Sequence, residues 1–430
     1  MSFLLLCACL LVAGIGCIGR TKDIINPAVV TCASYAIAVG SAGLGVGRWH
    51  NVENLSGQTI ALIVLSVAVC VIVCLTVIAS SRERWCEVGQ CSLGSYAIID
   101  MKYVVMIGLY IVVVYYLYYR QINTFISSLG IEGTIFEKLN TYRSLYIINN
   151  DSATGSGEGV NAVVLQLRNI VDVMVPFVLF EFIREILYKK YVNYPLGIVG
   201  IIGMIASLLT TGRSLLISYM FAGVVSLLIM QKHLHKEYNI RNIIKTIVVV
   251  VLIISAFFGL NSLMKRNSEF KFIDYITFYL GSSVTNLEAY MKNPIQAKST
   301  QTLDGLYNIM STLGFPVQNS GRSVTWIEYS GNESNVFTAL QRYYSDGGYI
   351  TLALYMLIFS AIMTLLYLQT RKDDPFWIIL YSMTFYIIFD QSRDDEFYPY
   401  ILRLSFPIII LALYVICRVM MKEEECASQR

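Results

Sequence analysis

The run Leu196–Met230, LGIVGIIGMIASLLTTGRSLLISYMFAGVVSLLIM, decides how this chain folds. Its 35 residues carry one charge, Arg213. A helix needs roughly 20 apolar residues to cross a bilayer, so the run is too long for one span and only just long enough for two. Thr210, Thr211 and Gly212 supply the turn between them. A charge where two apolar segments meet is costly against lipid and signals a buried or water-lined role. Arg213 is therefore the first candidate for function.

The rest of the chain repeats this pattern. It has 430 residues, 56% hydrophobic and 14% charged, with a mean hydropathy of +0.60. Its apolar residues come in long uninterrupted runs, the composition of an integral membrane protein. Spans are predicted at 3–19, 27–47, 59–79, 103–119, 163–183, 195–211, 213–230, 245–263, 349–368, 376–390 and 401–418. The expected fold is all-α and polytopic, a single membrane domain over 1–430 with about 11 transmembrane helices in a range of 10 to 12.

The net charge of +3 points to no nucleic-acid partner, so the placement of charge matters more than its sum. Arg20 with Lys22, Arg82 with Arg84, Arg184 with Lys189 and Lys190, the stretch QKHLHKEYNIRNIIK (231–245), and Arg371 with Lys372 all fall on one side of this span pattern. The positive-inside rule makes that side cytoplasmic, together with the C-terminus. Positive charge follows the first span rather than preceding it, so residues 3–19 read as a retained helix with an external N-terminus. None of the ten cysteines lies in the two long external loops, no CxxC occurs, and HLH (233–235) lacks nearby zinc ligands. No structural metal is expected.

Two extracytoplasmic segments, 120–160 and 264–335, exceed ordinary connections. The first ends in the flexible composition NNDSATGSGEG (149–159). In the second, SSVTNLEAYMKNP opens on cap-type serines and ends at Pro294, while Leu303, Leu306, Ile309, Met310 and Leu313 share a helical face before Gly314 and Pro316. Both read as short amphipathic helices at the membrane interface, either shaping a cavity or forming a compact plug. Six basic and six acidic residues balance over 264–335, so an anion site there needs a few placed arginines.

Further charges fall within or at the external ends of spans: Arg120, Arg168, Asp172, Arg342, Asp346, Asp390 and Arg393. Arg168 and Asp172, four residues apart, share a helical face and read as an ion pair that glues helices together. In NVFTALQRYYSDGGYITLALYM (335–356) a polar segment leads through Gly347 and Gly348 into an apolar span. Polar backbone at membrane depth must be buried in protein or line a wet cavity. Asp346 serves either as a cap for that span or as a catalytic carboxylate. The glycines of GLGVG (43–47) fit close helix packing better than a phosphate loop.

TTGRS (210–214), YLGSSVTNLEAYMKNP (279–294), TLDGLYNIMSTLGFP (302–316) and NVFTALQRYYSDGGYITL (335–352), in that order, resemble the O-antigen and capsule repeat-unit polymerases of the Wzy type, most strongly over 196–368. The resemblance implies a glycosyltransferase on the outer face of the bacterial cytoplasmic membrane. It would move a growing chain from undecaprenyl diphosphate onto the next lipid-linked oligosaccharide, with no metal or other cofactor. Membrane lipids, a flippase and a chain-length regulator would be its partners. Arginine suits such a donor, because its planar fork matches phosphate oxygens. Arg213 and Asp346 are then the catalytic candidates, with Arg143, Arg322, Arg342 and Asn335 binding substrate. An O-antigen ligase uses a similar donor, but residues 264–335 lack the histidine that resemblance would require there. A flippase would use arginines equally well, though no internal repeat is visible.

Overall fold

The computed structural model describes residues 2–49, 54–81, 92–143, 145, 160–210, 213–235, 272–294, 300–317, 326–329 and 332–422. Among them, seven helices are long and apolar enough to cross a membrane. These are α1 (Ser2–Thr21), α2 (Pro27–Gly45), α3 (Gly57–Ser80), α4 (Met101–Ser128), α6 (Ala162–Arg184, prolonged by a wider turn to Lys189), α8 (Arg213–His235) and α12 (Gly348–Gln369, prolonged to Lys372). Three shorter apolar helices accompany them: α7 (Tyr194–Ser207), α13 (Pro375–Asp390) and α15 (Ser405–Met420). The span predicted at 245–263 lies outside the described residues.

Helix starts follow local chemistry. Asn26, Asn193 and Asp374 each accept a bond from a backbone N–H of the first turn, with a proline at the head of the helix where a missing N–H costs nothing. Ser56 caps α3 and Asn161 caps α6 in the same way. The run Leu196–Met230 does divide in two, with α7 closing in a tight turn over Leu208–Thr210 and α8 opening at Arg213.

Short elements fill the polar segments: α5 (Ile135–Tyr142), α9 (Phe272–Lys292), α10 (Asp304–Thr312), α11 (Ala339–Ser345) and α14 (Phe397–Ile401). A hairpin pairs β1 (Ile327–Tyr329) with β2 (Asn332–Ser334), Tyr329 opposite Asn332. α9 starts ten residues before the cap-type serines. Ser282 and Ser283 are buried inside the helix, where Ser283 donates to Ser392 O and Ser282 receives Ser334 Oγ. Serine satisfied across a helix interface looks, in sequence, like serine at a cap. Gly281 lets α9 lie directly on the backbone of Ser41 and Ala42 in α2. Of the two glycines spaced as GxxxG, only Gly43 packs against another helix, meeting Phe3 of α1; Gly47 makes a left-handed turn beyond α2.

Helices that follow one another through the described turns, such as α1 and α2, α6 to α8, and α12 and α13, run in opposite directions, and the bundle has two distinct polar ends. At one, Lys232 pairs with Asp23 at 2.9 Å and donates to Lys22 O, while Nε2 of His233 meets Thr370 O. Arg184 sits at that end too, bonded to the backbone of Leu93, Tyr96 and Ala97. The other end gathers the starts of α6, α8, α12 and α15 and the end of α13. Tyr219 of α8 donates to Asp172 of α6 there, and Phe221 packs on Phe385 and Phe389.

Candidate functional site

The second end holds nearly all the described residues that sequence singled out. α11 supplies Arg342, Tyr343 and, just past its last turn, Asp346. Arg342 pairs with Asp394 at 3.0 Å and donates to Asp395 O. Burial alone would lower its pKa, but Asp394, Asp395 and Glu396 outweigh burial and hold it above the usual guanidinium value. Tyr343 donates to Asp395 Oδ1 at 2.9 Å and to Gln391 Oε1 at 3.2 Å, and its ring forms a mutually touching trio with those of Tyr355 and Tyr398. Burial first, then Asp395, pushes its phenol well above the ordinary range, so it stays a neutral donor. It is a core residue.

Those contacts fix the turn Asp390–Glu396 between α13 and α14. Gln391 O receives Tyr35 OH and Ala339 N, and Ser392 O receives Ser283. Within the turn Arg393 pairs with Asp390 at 3.1 Å and lies 4.1 Å from the centre of the Tyr279 ring. Asp390 and Arg393 are thus answered by each other.

Asp346 caps neither the following span nor an open cavity. Its two oxygens accept Gln301 N at 2.7 Å and Thr302 N at 3.1 Å, which pins the chain entering α10. Acting as a base on a substrate would require that segment to move. α10 in turn rests on Leu402, where Gly305 allows close approach. Asn335 is half-buried between β2 and α11. Arg143 ends α5, also half-buried, and α5 packs beside the Leu208–Thr210 turn that leads to Arg213. α8 begins at Arg213, whose side chain lies outside what is described, and Arg322 lies outside the described residues.

Arg403, next to Leu402, was not legible as a candidate. Its signal was available: like Arg213, it is a lone charge immediately before an apolar run. It shares Asp172 with Arg168, which feels both guanidinium charges. The ion pair expected between Arg168 and Asp172 does not form. Among the described residues neither Arg168 nor Arg403 has a carboxylate at ion-pair distance, and Asp172 Oδ1 accepts from Tyr219 at 2.9 Å. Instead Arg168 faces the Tyr118 ring at 5.4 Å and Arg403 the Tyr400 ring at 4.3 Å. The Nε of each is buried without a hydrogen-bond partner.

No family model, curated protein or solved structure matches this chain. What the site can do must follow from its chemistry. Two kinds of charge cluster are joined through α10. Around Arg342 and Arg393 the cations are paired with Asp394 and Asp390. Around Arg168 and Arg403 two cations share one acid, leaving a net charge of +1 among aromatic rings. Such an arrangement suits an anion with several oxygens. The groups also lie at the end where α8 starts, so a ligand meeting Arg213 would approach the same face of the bundle.

Proposed function

We propose that this chain is a Wzy-type polymerase of lipid-linked oligosaccharide repeat units. The supporting observation is the gathering, at one end of an apolar bundle, of Arg168, Arg403 and the start of α8 at Arg213 beside the pinned segment carrying Arg342 and Asp346. In this reading the protein has eleven spans, sits in the bacterial inner membrane and turns this end outward. The end with Lys22, Arg184, Lys232 and Arg371 then faces the cytoplasm, as does the C-terminus, while the N-terminus lies outside.

The reaction is a glycosyl transfer that needs no metal. The bond between the anomeric carbon of the growing chain and the diphosphate oxygen breaks, and undecaprenyl diphosphate leaves with the electron pair. A hydroxyl of the incoming lipid-linked unit forms the new glycosidic bond and gives up its proton to a base. Arg213 stabilises charge developing on the diphosphate, with Arg143, Arg322 and Arg342 in support. Asn335 orients the sugar, and Asp346, once released from residues 301–302, receives the proton. A flippase and a chain-length regulator of the same pathway are its working partners.

The test is the length distribution of surface polysaccharide, on a gel, from cells lacking the gene and from complemented cells. A deletion strain that still attaches a single repeat unit to its final acceptor supports polymerisation. Loss of every repeat unit from that acceptor sinks the reading in favour of a flippase or ligase. Complementation by Arg213→Ala at normal protein level, giving near-normal chain lengths, removes Arg213 from the mechanism.

A further inference from the structure

We propose that Arg168 and Arg403 form a phosphate-recognition site, with Asp172 as a tethered acid that tempers its strength. Both guanidinium groups sit where lipid or protein would surround them, and a buried cation ordinarily takes a carboxylate partner. The one acid within reach is engaged elsewhere: Tyr219 of α8 donates to Asp172 Oδ1 at 2.9 Å. Each arginine keeps a buried Nε with no hydrogen-bond partner, and its Cζ lies over a tyrosine ring, 5.4 Å from the centre of Tyr118 for Arg168 and 4.3 Å from that of Tyr400 for Arg403. The unanswered Nε is one arm of the planar fork that matches phosphate oxygens.

The two arginines stand on elements that pack together, α6 and the link into α15, which lies against α6. Arg168 stands in the second turn of α6, one turn before Asp172. Arg403 occupies the short link between α14 and α15, and its neighbour Leu402 is wedged under Gly305 of α10. A ligand with one charge-bearing oxygen would satisfy one guanidinium. A phosphate group, with three or four oxygens and up to two charges, can take both and neutralise the surplus.

The site deepens the polymerase reading by giving the lipid diphosphate an anchor beside Arg213. It is tested by binding rather than by polymer length, so the two can fail separately. The full-length protein in detergent micelles is titrated with inorganic pyrophosphate and, separately, with farnesyl diphosphate, while thermal unfolding and 31P resonances are followed. Sodium sulfate at matched ionic strength is the reference.

Saturable stabilisation beyond the sulfate effect is expected. Response to both ligands marks a site open to free phosphate compounds, and response to farnesyl diphosphate alone marks a lipid headgroup site. Arg168→Gln and Arg403→Gln should each weaken binding at least about tenfold, the worth of a charged hydrogen-bonded contact. The exposed Arg120→Gln on α4 should leave it unchanged. Asp172→Asn keeps the acceptor oxygen for Tyr219 but removes the opposing charge, so it should tighten binding several-fold. A misfolded variant cannot produce that gain. No stabilisation beyond sulfate by either ligand, or an Asp172→Asn protein that binds more weakly while unfolding at the same temperature, overturns the site.

Discussion

Arg168 and Arg184 lie on the same helix, 16 residues and so about 24 Å apart, and the protein treats them in opposite ways. Every N–H of Arg184 is used: Nε and Nη2 on Glu181, Nη1 on Leu93 O and Tyr96 O, and Nη2 on Ala97 O. Each has an acid one turn away, Glu181 for Arg184 and Asp172 for Arg168, yet only the first makes contact, at 2.8 Å. Burial of a charge therefore does not separate structure from function in this bundle. What separates them is whether the donors are spent. Arg184 is a clamp that ties the segment before α4 to the end of α6, and Arg168 holds donors in reserve.

The largest expected effect tests that contrast directly. Arg184→Leu leaves Glu181 buried without its cation and three carbonyls without donors. Stability should fall by about 3–5 kcal/mol, visible as loss of monodisperse protein in detergent. Arg168→Leu breaks no ion pair and gives up a ring contact worth about 0.5–2 kcal/mol. Equal losses from the two substitutions would erase the distinction.

Next in size is the seat of α9, which lies at the end of the bundle that holds Arg342 and Arg393. Gly281→Ala puts a methyl group into the backbone of Ser41 and Ala42. The helix must shift or the neighbour must give way, at a cost of about 1–3 kcal/mol. Because Ser283 and Asn286 of α9 hold Ser392 and the 334–336 segment, the shift should also disturb the Arg393–Arg342 cluster. Chain length in complemented cells should change more than protein level does. A variant that loses only protein would make α9 a brace and nothing more.

The contrast also explains what sequence could and could not reveal. Spans were legible because apolar runs and their caps act locally: Asn26–Pro27, Asn193 with Pro195, and Asp374–Pro375 mark helix starts from neighbouring residues alone. Gathering Arg342, Asp346 and the start of α8 at one end followed from alternating spans. The side-chain partnerships were not legible, because they are decided by competition between distant groups. Spacing of four residues brings Arg168 near Asp172, but the carboxylate is met by Tyr219, 47 residues away, and not by Arg168. Asp346 read as a cap for the span that follows it or as a catalytic carboxylate, and its oxygens instead hold the backbone of residues 301–302. Arg403 was hidden by its setting inside a predicted span, where its place in a helix break became visible only with α14 ending at Ile401.

The smallest effect expected is at Arg48, whose pair with Asp274 joins the end of α2 to the start of α9 at 3.1 Å. The pair is a single Nη1–Oδ1 contact where Arg184 grips both oxygens of Glu181, and it differs in surroundings too, since the Arg48 side chain is 55% exposed. Water competes for both partners, salt screens them, and holding two side chains in place offsets part of the attraction. Arg48→Ala should therefore cost under about 1 kcal/mol, less in high salt, with chain length unchanged. A loss of several kcal/mol that persists at high salt would mean that lipid headgroups or neighbouring protein shield this edge of α9. The exposed pair would then belong with the clamps, since it too spends its donors on a neighbouring helix and would do so out of reach of water.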